Sequence, residues 1–230
     1  MQTPLARRAL RVHEKLLGAF GKPIWRTPLP PIDELISTIL SQNTNDLNRD
    51  RAFNALRAKF PTWEMVRDAK TNSVISAIRT AGLANQKGPR IQKVLRAITE
   101  ERGNLDLYFL KDMPLEEARA WLTKFKGVGP KTAAIVLCFS LDRPAFPVDT
   151  HIYRVTGRIG LRPGKMTVDQ AHTHLENLLP PETYYAAHLN LIRLGREICH
   201  ARKPDCPLCP IRNLCDYEPK TKLKDLKTTH

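Results

Sequence analysis

Apolar residues recur every three to four positions along almost the whole chain, and the sustained alternation of a half-buried strand is absent. The period runs through 32–42 (IDELISTILSQ), 50–60 (DRAFNALRAKF), 72–82 (NSVISAIRTAG), 88–103 (GPRIQKVLRAITEERG), 114–125 (PLEEARAWLTKF) and 130–141 (PKTAAIVLCFSL). It continues through 149–160 (DTHIYRVTGRIG), 167–179 (TVDQAHTHLENLL) and 183–199 (TYYAAHLNLIRLGREIC). Many of these stretches are bracketed by Pro, Asp, Asn, Thr or Gly, the residues that start and stop helices. Near the N-terminus, Leu5, Leu10, Val12, Leu16, Leu17 and Phe20 fit one more amphipathic helix. The pattern predicts an all-α protein. The Pro-rich segment 22–31 (KPIWRTPLPP) marks a crossing between lobes, and 141–147 (LDRPAFP) a second break. Beyond Cys215 the chain is polar and lysine-rich, and fraying is expected there.

A length of 230 residues suffices for one large domain or two small ones. The 37 Lys and Arg against 23 Asp and Glu leave a formal charge of +14. Such an excess points to a polyanionic partner, most often nucleic acid, bound more weakly as salt rises. No run of about 18 apolar residues suggests a membrane span, and the N-terminus lacks a secretory apolar core. A cytoplasmic, nucleoid-associated location is the expectation. In a reducing compartment, clustered cysteines favour metal over disulfides.

Four of the five cysteines form such a cluster. Cys199, Cys206, Cys209 and Cys215 read C-x6-C-x2-C-x5-C. Four thiolates at this spacing suit either zinc or an iron–sulfur centre. The fifth, Cys138 in AAIVLCF, reads as a buried small hydrophobe. Upstream, Lys126-Gly127-Val128-Gly129-Pro130-Lys131 joins two helical stretches. A glycine turn that opens a helix leaves backbone N–H groups pointing outward, and these suit a phosphate oxygen. Pro130 fits the first helical position, where its missing N–H is not needed.

The run LTKFKGVGPKTAAIVLCF, then AFPVDTHIYRV, then the four cysteines resembles the endonuclease III family of DNA glycosylases in order and spacing, from about Pro31 to Cys215. The resemblance implies a two-lobed helix-hairpin-helix glycosylase fold. A six-helix lobe would span 28–141, a cluster lobe 1–27 plus 142–215, and a flexible basic tail 216–230. It implies a 4Fe–4S cluster on Cys199, Cys206, Cys209 and Cys215, with zinc as the lesser reading. It implies a monomer acting on double-stranded DNA that carries a damaged base or an abasic site, and no membrane partner.

The same resemblance assigns roles residue by residue. Lys131, directly after the GVGP turn, matches the nucleophilic lysine of bifunctional members: a free amine attacks the anomeric carbon, expels the base and leaves a Schiff base that permits β-elimination. Asp149, in FPVDTH, matches the essential aspartate and would also cap the following helix. Lys131 and Asp149 would face each other across a DNA-binding cleft. Gly127, Val128 and Gly129 would approach the backbone. His151 is placed with the DNA contacts, packing being its alternative. The plug for the gap left by an extruded nucleotide falls to Gln42 or Asn43, since a gapless reading puts Asn43 at the family's glutamine position. Leu83 is the apolar wedge, and Arg202 and Lys203 near the cluster, with His200 and Arg212, would meet phosphates. The implied activity is removal of damaged, oxidised pyrimidine bases with cleavage of the abasic site. The segments 88–107, AFPVDT and NLIRLGREIC also resemble the glycosylase domain of plant 5-methylcytosine demethylases, so mismatched, deaminated and methylated bases stand as alternative substrates. A lyase specialised for abasic sites and a non-catalytic DNA-binding module are the remaining alternatives.

Overall fold

The computed structural model describes residues 3–24 and 27–217, and every regular element among them is helical. By their contacts the residues fall into two compact units, Trp25–Pro147 and Met1–Ile24 with Val148–His230. Residues 218–230, most of the expected tail, lie outside the described residues.

The middle unit is built around α2 (Pro31–Ser41). Nine of its eleven residues are buried, so it is enclosed on nearly every side. Pro31 opens it, and Asp33 and Glu34 sit where the helix dipole favours negative charge. Around it run α3 (Asp46–Lys59), α4 (Trp63–Asp68), α5 (Thr71–Ala77), α6 (Ala84–Arg102), α7 (Leu115–Thr123) and α8 (Pro130–Ile135). One continuous core joins Leu35, Ile36 and Ile39 of α2 to Leu56, Val66, Val74, Ile91, Leu95, Leu122 and Ala133. The unit has one more helix than the periodicity suggests. The short α4 escapes the pattern because only Trp63 and Val66 of its six residues are buried. Its start is held by the Thr62 side chain, which accepts from the Met65 N–H, and by Trp63 Nε1 donating to Asp33 at 2.5 Å.

After α8 the helix widens into a π-turn over Val136–Ser140, with Cys138 buried in it. Wider turns of this kind concentrate at functional sites. The second Pro-rich break belongs to the middle unit for a specific reason. Arg143 donates to the carbonyls of Leu110 (3.0 Å), Met113 (2.7 Å) and Lys111, which pins 142–147 to this unit.

The other unit packs α9 (Thr150–Arg158) against α11 (Tyr184–Glu197), with α1 (Pro4–Phe20) on α11 and α10 (Val168–Glu176) following α9. A Cβ added at Gly195 would meet His151 Cβ at 2.8 Å, so a glycine is needed where α9 and α11 cross. The start of the expected tail is anchored. Arg8 of α1 pairs with Asp216 at 2.5 Å and donates to the Leu214 carbonyl, and Arg158 lies over the Tyr217 ring. The Arg8 hydrogen bond pulls the Asp216 carboxyl below its ordinary value.

His13 on α1 is buried, and its Nδ1 has no partner among the described residues. Burial lowers its pKa. The folded protein therefore resists a proton that the unfolded chain accepts, and stability is lost as pH falls below the ordinary histidine value of about 6.5. Replacing His13 by Met removes that linkage. Between about pH 7.5 and 5 the thermal midpoint of His13→Met should fall less than that of the wild type, and equal falls would contradict the assignment.

Candidate active site and cysteine centre

Lys131 occupies the second position of α8, half-buried, with Pro130 at the first. The turn that delivers it is shaped by Gly127, whose φ is +96°. A Cβ there would fall 2.2 Å from Arg90 Cδ, so Gly127 answers both a left-handed backbone and the packed stem of Arg90. Gly129 is different: its φ is −93°, and a Cβ would meet nothing within 4 Å. Its outer face is open to an approaching group. Val128 does not expose its side chain as a DNA contact would require. It is 3% exposed, belongs to the core, and spends its N–H on the Phe125 carbonyl. The Lys131 amine has no hydrogen-bond or ion-pair partner among the described residues.

The plug and wedge candidates sort clearly. The Gln42 carboxamide is tied down: its nitrogen donates to the Gly127 carbonyl at 3.1 Å, and its oxygen accepts from Arg90 at 2.9 Å. Asn43 is exposed and left-handed at φ +53°. Leu83 is 47% exposed and left-handed at φ +50°. For a leucine that backbone costs about 1–3 kcal/mol, and such strain clusters at functional sites.

In the other unit Asp149 caps α9, with Oδ1 accepting from the Ile152 N–H at 2.8 Å. Its other carboxylate oxygen accepts no hydrogen bond among the described residues. His151 faces inward: its Nδ1 lies 3.2 Å from Arg154, and since a guanidinium only donates, the ring hydrogen sits on Nε2. It packs against Gly195.

Cys199, Cys206, Cys209 and Cys215 line one cavity, closed by Ile159, Leu194 and Ile211. Burial and the neighbouring thiols push the Cys209 and Cys215 thiols up, against the pull of the backbone at Ile211 and Tyr217. Among the described residues no three His, Cys, Asp or Glu side chains are grouped to hold a single metal ion. Helix α9 grips this loop through two arginines that periodicity did not single out. Arg158 donates to Cys199 Sγ (3.3 Å), the His200 carbonyl (2.6 Å) and the Ala201 carbonyl (2.9 Å). Arg154 donates to the carbonyls of Cys199 (3.1 Å) and Gly195 (2.8 Å). The signal lay in their spacing: 151, 154 and 158 share one helix face. Of the basic residues near the cysteines, His200 Nε2 lies 3.4 Å from the Asp205 carboxylate and Arg212 donates to the Tyr217 carbonyl. Arg202 and Lys203 are exposed.

Residues 36–181 match the model of the HhH-GPD superfamily of base excision DNA repair proteins. The chain belongs to that superfamily, among its endonuclease III-like DNA glycosylases. It is 36% identical over 189 residues to an Arabidopsis thaliana protein named as a DNA glycosylase, a match covering 77% of this chain but 64% of that protein. It is 34% identical over 187 residues to endonuclease III of Thermotoga maritima, covering 81% of this chain and 83% of that one. A solved structure of a trapped covalent endonuclease III–DNA intermediate superposes with a TM-score of 0.78 at 28% identity, over 94% of this chain and 97% of that one. The two-domain helical fold expected from the sequence is therefore that of endonuclease III. No helix among the described residues is long and apolar enough to cross a membrane.

Gly127→Ala tests the turn. It should lower stability by about 1–3 kcal/mol in denaturant unfolding, and by less in an Arg90→Ala background, where the steric part is gone. An unchanged midpoint would contradict the double constraint.

Proposed function

We propose that this glycosylase is bifunctional, removing damaged pyrimidines from double-stranded DNA and cleaving the resulting abasic site through Lys131. The reading is supported above all by an amine without a protein partner, delivered by the Gly127 turn at the second position of α8. Its nitrogen attacks C1′ of the extruded nucleotide, the N-glycosidic bond breaks, and the base leaves with the bonding pair. Loss of one proton from the amine, then cleavage of the C1′–O4′ bond with O4′ taking up a proton, give the iminium. The iminium acidifies C2′–H, and departure of the 3′ phosphate completes β-elimination. We assign Asp149 to the same reaction. One oxygen holds α9, and the other steadies oxocarbenium charge and takes the proton from the attacking amine. Asn43 fills the gap in the duplex and Leu83 wedges the neighbouring step, while Gly129, Arg202 and Lys203 meet phosphates. Oxidised pyrimidine is the base class implied by the likeness to endonuclease III.

We assign the cysteine cavity to a 4Fe–4S cluster. The donor set is all sulfur, the four cysteines line one cavity, and their C-x6-C-x2-C-x5-C order is the one that carries the likeness to endonuclease III. Cys199, Cys206, Cys209 and Cys215 would hold the cluster, and the cross-link would stiffen the loop that Arg154 and Arg158 hold. Purified protein should carry about four irons per chain with brown colour, and zinc at one per chain would overturn this assignment.

Asp149→Asn separates chemistry from folding, because asparagine caps a helix as well as aspartate does. The thermal midpoint should hold while single-turnover base release falls by about 10²–10⁴-fold. Lys131→Gln should abolish strand cleavage on duplexes each bearing one oxidised, deaminated, mismatched or methylated base. Cleavage that survives Lys131→Gln, or undiminished release by Asp149→Asn, would refute the roles.

A further inference from the structure

The most deeply buried charge in the middle unit takes no part in the proposed chemistry. Lys87 is 1% exposed, and its Nζ donates to the Leu40 carbonyl at 2.7 Å and to the Ala81 carbonyl at 2.8 Å. No acidic side chain pairs with it among the described residues. Burial, and then Arg90, lower its pKa. Such a placement is unfavourable unless the carbonyls it satisfies must be held.

Both carbonyls end a helix. Leu40 is in the last turn of α2, and Ala81 closes the short 3₁₀ turn Arg79–Ala81. Neither accepts a backbone N–H from the adjoining turns and caps, which leaves the Lys87 nitrogen as their partner. The two loops that leave these carbonyls are alike. Beyond Leu40 the chain reaches Asn43, exposed at φ +53°; beyond Ala81 it passes Gly82, at φ +65°, to Leu83, exposed at φ +50°. Two of the four non-glycine residues with positive φ among the described residues thus stand on loops rooted in one nitrogen. The next turn of α6 adds a strut, since Arg90 holds Gln42, and Gln42 holds the Gly127 carbonyl. One face of α6 thereby braces the Asn43 loop, the Leu83 loop and the turn before Lys131.

We propose that Lys87 is a positioning residue that locks the Asn43 and Leu83 loops in mutual register, so that both enter the duplex beside one extruded nucleotide. This role rests on the protein's acting as a glycosylase that extrudes its target. Lys87 touches neither DNA nor the reacting atoms. Its effect is to make two separate insertions act as one.

The test needs no chemistry. Binding is measured by fluorescence anisotropy to a duplex holding a tetrahydrofuran abasic analogue and to the same duplex intact, with 2-aminopurine beside the analogue reporting unstacking. Lys87→Met, close in length and apolar, should cut the preference for the analogue duplex by about tenfold or more and lose the 2-aminopurine signal, while affinity for intact duplex, set by surface charge, stays within about threefold. In that background Leu83→Ala should add little further loss. In otherwise wild-type protein, Asn43→Ala and Leu83→Ala should be non-additive, a measurement that stands even where Lys87→Met fails to fold. Full preference retained by Lys87→Met, or additive Asn43 and Leu83 effects, overturns the proposal alone. A wild type without preference for the analogue duplex overturns the glycosylase reading and this proposal with it.

Discussion

The left-handed turn at Gly127 governs how the site in the middle unit is assembled. Its φ of +96° lets the chain reverse between α7 and α8 within a few residues, and the missing Cβ makes room for the Arg90 stem. Val128 can then drop into the core, Pro130 can open α8, and Lys131 emerges one residue later. The turn is also roped to the loop after α2, because the Gln42 amide donates to the Gly127 carbonyl and accepts from Arg90. A side chain at 127 would have to displace Arg90, and through it the residue preceding Asn43. The glycine suggests a phosphate contact when met in the sequence; in the structure Gly127 packs on Arg90, while the face of Gly129 is open.

A parallel economy operates in the other unit. Asp149 spends one oxygen on the Ile152 N–H and keeps the other. The helix that it starts carries His151, Arg154 and Arg158 on one face, and the two arginines hold the main chain at Cys199 to Ala201. The proposed acid and the proposed cluster are thus joined by a single nine-residue helix. A cluster bound there would contribute mechanically to the proposed chemistry, because a stiffened cysteine loop would keep α9, and so its cap, in place.

Much of this was legible in the sequence, for identifiable reasons. Helices announce themselves by apolar period, and α2, α6 and α11 stand where the period placed them. The GVGP turn, the VDTH cap and the cysteine spacing are local in the chain, so residue identity and order suffice to find them. The missing pieces are of another kind. Helix α4 is too short to show a period. Lys87, Arg90, Arg143, Arg154 and Arg158 act through bonds to carbonyls or amides that proximity in the chain does not reveal: Lys87 reaches Leu40 across 47 positions, and Arg158 reaches His200 across 42. Such residues look like ordinary members of a basic surface until the fold shows where they end. Gln42 shows the same limit in reverse, since its type suits a duplex plug while its carboxamide is bonded to Gly127 and Arg90.

The proposed chemistry turns on one amine, Lys131, forming a transient covalent bond with deoxyribose. Borohydride reduction of the protein on abasic-site duplex, followed by proteolysis and mass mapping of the adduct, reads that bond out at the level of a single residue. A reduced sugar remnant is expected on the peptide containing Lys131, at that lysine. A remnant on any other amine, or no adduct from protein that binds the duplex, would contradict it.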